Sequence, residues 1–105
     1  MAKKQTAGRD NLGDFAPKFA ELNDDVLFGE VWSREAQLSA HDRSLITVAS
    51  LMTQGVPQLK DHMRIAKQNG VTKDEMVELI THLAFYTGWP KAWSAFGIAK
   101  DLYQE

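Results

Sequence analysis

The sequence predicts an all-α domain of five or six helices. Two observations carry this. From Asp14 onward apolar residues recur at helical spacing, and no segment alternates convincingly with period two. Gly, Pro and an Asn-Gly pair also interrupt the pattern at helix-length intervals, as stops and first-turn residues do. The chain of 105 residues is read as one small domain, residues 13–105. Residues 1–12 are polar, lack an apolar period and are expected to be a flexible tail.

The first helical region is "DFAPKFAELNDDVLFGEVW". It places Phe15, Phe19 and Leu22 at helical spacing, followed by Val26, Leu27, Val31 and Trp32. Two short helices are expected, breaking near Asn23-Asp24, with one of those residues capping the second. In "LSAHDRSLITVASLMTQG", Ser39 is followed three residues later by Asp42, the spacing of a capping box, and Asp42 suits the positive end of the helix dipole. Leu45, Val48, Ala49 and Met52 then form one face, and Gly55 ends the helix.

"VPQLKDHMRIAKQNG" restarts with Pro57 as a first-turn proline. Leu59, Met63 and Ala66 give its apolar line, and Gly70 is the expected left-handed cap. In "VTKDEMVELITHLAFYTG", Thr72 and Glu75 form a full capping box, Met76, Leu79, Ile80 and Leu83 the stripe, and Gly88 the stop. "WPKAWSAFGIAKDLY" opens on Pro90 and carries Trp93, Phe96, Ile98 and Leu102. These last helices are apolar nearly all round, more than so small a monomer can bury. With three Trp, two Tyr and five Phe, the expectation is an obligate homo-oligomer.

Twelve basic and fourteen acidic residues, interspersed, give a net charge of −2. No basic stripe marks a nucleic-acid site. No apolar run approaches the roughly 20 residues that cross a bilayer, and "MAKKQTAGRDN" has no signal-peptide core. A cytoplasmic protein is expected, with neither nucleic acid nor membrane as partner. There are no cysteines, which excludes disulfides, thiolate metal sites and cysteine nucleophiles.

Three histidines remain as chemistry-bearing groups. His62 lies beside the Leu59–Met63–Ala66 line, flanked by Lys60, Asp61 and Arg64. Its spacing allows a pocket-edge acid–base group but favours a partly buried residue satisfied by a backbone carbonyl. Glu78, His82 and Tyr86 recur every fourth residue, a polar line along an apolar helix that suits either a site or a subunit interface. His41, beside Asp42 and Arg43, reads as a surface residue. No metal site is expected, since no HExxH occurs and no two histidines are three or four apart. A phosphate-binding loop is absent, and neither Ser44 nor Ser50 sits on a nucleophile elbow.

Taken as words, "LSAHDRSLITVASLMTQG … LKDHMRIAKQNGVTKDEMVELITHLAFYTGWPKAWSAF" resembles the carboxymuconolactone decarboxylase family over roughly Phe28 to Tyr103. The resemblance implies an alkylhydroperoxidase-D-like helical fold, assembled as a trimer or as a hexamer of three dimers. Members of the family include a decarboxylase of a γ-carboxylated muconolactone in aromatic degradation and thiol peroxidases using Cys-x-x-Cys, and many are small stand-alone domains with no assigned reaction. His62 matches the histidine that opens the family's "HxxxAxxxG". Where the peroxidases carry cysteines this chain reads "GVPQLKD", so the thiol cycle has no nucleophile. Asp42 is the residue that can stand in for the acidic relay group of the peroxidases.

The expected function is therefore a cofactor-independent carboxy-lyase acting on a small carboxylate. His62 is the proton donor and Arg43 or Arg34 the anion-binding group. His82, Glu78, Tyr86, Trp89 and Trp93 are the remaining substrate-binding candidates. The alternative is a non-enzymatic small-molecule binding protein or oligomeric scaffold, and the third reading, a family-level peroxidase activity, is disfavoured because there is no cysteine.

Overall fold

A computed structural model describes residues 4–104. Every element among them is helical, and no strand occurs among the described residues. The chain divides into two compact units, one ending at Ala40 and the other starting at His41.

The first unit holds α1 (Ala7–Leu12), α2 (Pro17–Glu21) and a π-helical stretch, Leu22–Val31, that continues directly from α2. The expected break at Asn23-Asp24 does not occur, because the Asp24 side chain is used elsewhere. It is buried, and its two carboxylate oxygens accept the backbone N–H groups of Gly8 (2.9 Å) and Arg9 (3.0 Å). Asp24 thus satisfies the N-terminal donors of α1, a cap supplied from a distant residue. Burial pushes its pKa up, but the hydrogen bonds from Asn23, Arg9 and Gly8 and the charge of Arg9 outweigh this and hold it below the ordinary value. Arg9 also grips Asp25 with both guanidinium nitrogens, at 2.9 and 2.8 Å.

Gly8 is where α1 comes closest to its neighbours. A Cβ there would stand 2.7 Å from an Asp24 oxygen and 2.8 Å from the Ala20 carbonyl, inside van der Waals contact. Part of the stretch expected as a tail therefore carries a helix with specific partners. The wide turns of the π stretch show in the Trp32 N–H bonding to the Leu27 carbonyl, five residues back, at 3.0 Å. Phe15 and Phe19 are largely exposed.

The second unit contains α3 (Ala40–Gln54), α4 (Leu59–Gln68), α5 (Lys73–Thr87) and α6 (Trp89–Leu102). Helix α3 starts immediately after Ser39, as its spacing predicts. Pro57 falls in the turn before α4 rather than within its first turn. The α4 terminus is a Schellman motif: Val71 N–H bonds to Ala66 O (2.9 Å) and Gly70 N–H to Lys67 O (3.2 Å). Gly70 has φ +91° there, a conformation that L side chains rarely adopt. The α5 box is complete, with Glu75 N–H on Thr72 Oγ1 (3.1 Å) and Thr72 N–H on Glu75 Oε1 (2.9 Å). A second left-handed glycine, Gly88, joins α5 to α6.

The core of this unit is built from Val48 and Met52 of α3, Leu59, Met63 and Ala66 of α4, Val71, and Met76, Ile80 and Ala84 of α5. Helix α6 contributes Ala92, Ala95 and Ala99. Of the large residues the sequence suggests for α6, Phe96, Ile98 and Leu102 pack against this core half-buried, and Trp93 does not. Small side chains at i, i+3 and i+7 let its backbone approach α5 closely, while Trp93, on a different face, is exposed. Among the described residues no helix is long and apolar enough to cross a membrane.

Candidate functional site

His62 lies in the first turn of α4, next to fully buried Met63. The buried face of α4 is the Leu59–Met63–Ala66 line, and His62 stands at its edge, half-buried, with Nδ1 wholly out of water. Desolvation lowers its pKa below the ordinary 6.5; Asp61 opposes the shift and Arg64 adds to it. The imidazole is therefore neutral at neutral pH. Such a group is a base as it stands, and becomes a proton donor once a nearby anion draws a proton onto it.

Asp42 and Arg43 occupy the first turn of α3, Asp42 exposed and Arg43 half-buried. The structure adds a neighbour that the sequence reading passed over. His41 is not a bare surface residue: its Nδ1 is 2.8 Å from an Asp42 oxygen and its Nε2 is 2.9 Å from Glu75 Oε1. The hydrogen bond to Glu75, then that to Asp42, raises the His41 pKa, and His41 in turn holds Glu75 below its ordinary value. As the imidazolium, His41 donates both protons and ties the start of α3 to the start of α5. The clue in sequence was limited to Asp42, since Glu75 lies 34 residues away.

Glu78, His82 and Tyr86 lie on successive turns of α5, all exposed. The contact between the last two is a tilted ring pair with centroids 5.0 Å apart. Glu78 and His82 both line a shallow hollow with Leu45, Glu75 and Leu79. Trp89 and Trp93 open α6 and line an apolar cavity of about 430 Å³ with Thr81, Ala84, Ala92 and Phe96. Phe85 meets Trp89 edge-on at 5.6 Å. His62 lines neither the hollow nor this cavity. Arg34, in the first unit, lies in the turn after the π stretch, its N–H bonded to the Val31 carbonyl at 3.1 Å. Among the described residues no group of three or more His, Asp and Glu side chains could hold a metal ion.

Residues 17–101, which include every candidate above, match the sequence model of the carboxymuconolactone decarboxylase family. The chain belongs to this family. A 4-carboxymuconolactone decarboxylase of Acinetobacter baylyi is 40% identical over 97 residues, 91% of this chain and 72% of that protein. A nitrosuccinic acid decarboxylase of Metarhizium robertsii is 35% identical over 96 residues, 90% of this chain and 66% of its own length. An uncharacterised 15.0 kDa protein of Paracoccus denitrificans is 34% identical over 84 residues, 77% of this chain and 62% of its own length. Two of these relatives are thus named for different acids, and this chain spans 72% and 66% of their lengths.

Proposed function

We propose that the chain is a cofactor-independent carboxy-lyase acting on a small acid whose carboxylate adjoins an electron-accepting group. The observation that carries the reading is His62: a half-buried imidazole with Nδ1 out of water, inside the span shared with two named decarboxylases. In the proposed reaction the C–C bond to the carboxylate breaks, carbon dioxide leaves, and the electron pair stays on the substrate as an enolate-like anion. The anion takes a proton at carbon from His62.

The low pKa of His62 suits this cycle. A bound carboxylate stabilises the imidazolium, so the substrate itself brings the acid into its working form. Arg43, in the same unit as His62, is the candidate for the fixed positive charge, and a prepared site for developing negative charge accounts for most of the acceleration. Asp42 is the candidate relay group, and Tyr86, Trp89 and Trp93 stay substrate-binding candidates, although the cavity that Trp89 and Trp93 line does not include His62 within one chain. A thiol peroxidase reaction has no place here because the chain has no cysteine. The test is carbon dioxide release from a panel of lactone, β-keto and nitro carboxylates. His62→Ala should lower turnover by roughly 100-fold or more, the scale of a lost general acid. A variant as active as the wild type would remove His62 from the mechanism.

A second reading concerns assembly and is favoured by the exposed aromatics of α5 and α6. Phe85, Tyr86 and Trp93 are each more than 70% exposed, which is unusual for a soluble surface. We propose a homo-oligomer, a trimer or a hexamer of three dimers, in which the Glu78–His82–Tyr86 line and these aromatics meet other subunits. Sedimentation at the mass of the 11.8 kDa chain would refute it.

A further inference from the structure

The α5–α6 pair carries a second groove, at the opposite end from Trp89. It holds about 410 Å³, within the range of small-ligand sites. Its walls are apolar: Met76 and Val77 from α5, Phe96 and Ala99 from α6. Its rim is cationic, with Lys73 at the start of α5 and Lys100 in the last turn of α6. Neither ammonium has an ion-pair partner among the described residues. Tyr103 closes one side and is held rigidly, its hydroxyl donating to the Val71 carbonyl at 2.8 Å with Lys67 over its ring. Its hydroxyl proton is thus already used.

An apolar trough with two uncompensated ammoniums at its edge selects one kind of molecule. A neutral hydrocarbon would leave the charges unanswered, and a compact polyanion would leave the walls wet. We infer that this groove binds an amphipathic monoanion, a carboxylate on an alkyl or aryl body, at a site separate from His62. The body covers Met76, Val77 and Phe96 while the carboxylate lies between Lys73 and Lys100. The inference does not rest on the lyase reading, because no candidate residue of that reading lines the groove.

The experiment titrates the assembled protein with octanoate and, separately, with 1-octanol, following methyl signals of Met76 and Val77 by NMR. Octanoate should shift both signals and bind roughly three- to tenfold tighter than octanol, the scale of two exposed ion pairs. The double variant Lys73→Ala/Lys100→Ala should abolish that preference. Val77→Glu, at a partly exposed position that tolerates a charge, should abolish octanoate binding while circular dichroism stays unchanged. His62→Ala should leave octanoate binding intact, whatever it does to turnover. Equal binding of octanoate and octanol would overturn the inference, as would a preference that survives the double variant or shifts confined to Ala84 and Trp93. If a second copy of the chain covers the groove instead, Val77→Glu will dissociate the assembly and octanoate will move neither signal, which also overturns it.

Discussion

His41 and His62 stand in the first turns of consecutive helices of the same unit, yet their surroundings push them in opposite directions. His41 is clasped between two carboxylates, and the fold favours its charged form. His62 stands half-buried at the edge of the apolar face of its own helix, and the fold favours its neutral form. The first arrangement is what a structural fastener needs: two charge-assisted hydrogen bonds that favour the protonated ring. The second leaves a group whose protonation a bound anion can reverse, which is what an acid–base residue needs. Burial and partners, rather than residue type, separate the two roles.

The largest effect that sharpens this contrast comes from the buried line of α4, at whose edge His62 stands. Met63 is completely buried, so Met63→Ala should cost about 2–5 kcal/mol of unfolding free energy. By opening that face to water it should also move the His62 pKa back toward its ordinary value. Chemical denaturation and histidine NMR titration check the two parts. A His62 that does not move would mean that something other than this face desolvates it.

A smaller effect lies on the His41 side. Thr72→Ala removes one half of the α5 box and should cost about 1 kcal/mol. Denaturation midpoints read this directly, and a change close to zero would show that the box is redundant. Glu75→Gln removes the charge facing His41 and should return the His41 titration toward 6.5 while leaving that of His62 in place.

The smallest effect is the pH dependence of stability, where the two histidines oppose one another. The raised pKa of His41 gives stabilisation that is complete below the unfolded value near 6.5 and is lost as pH rises through the higher folded value. Glu75 acts from the other side: its contribution is present above about 4.5 and fades as pH falls through its lowered folded value. His62 has a folded value below 6.5, so the unfolded chain takes up that proton first. Stability is therefore lost as pH falls from 6.5 through the lowered value. His62→Ala should remove this acid-side loss, and His41→Ala the alkaline-side loss. Identical stability profiles for the two variants would break the comparison.

What could be read in the sequence was what neighbours in the chain decide. The Thr72–Glu75 box and the Gly70 cap are local geometry, and both are present as their spacing requires. The all-helical class followed from periodicity. Contacts between distant segments were not legible. Asp24 looks like a cap for its own helix, but its oxygens serve α1, sixteen residues back. His41 looks like a solvated residue until α5 brings Glu75 to it. In α6 the bulky residues draw the eye, whereas close helix packing selects Ala92, Ala95 and Ala99. His62 was found through the family pattern, because its spacing alone favours a core-edge residue.

The most direct test of the central claim is carbon dioxide release measured side by side for wild type, His62→Ala and His41→Ala, with assembly checked by sedimentation. The account predicts that loss of His62 stops turnover in an intact oligomer, while loss of His41 leaves turnover in place and lowers stability. Turnover that survives without His62 but fails without His41 would contradict it, and would move the chemistry to the carboxylate-bound histidine.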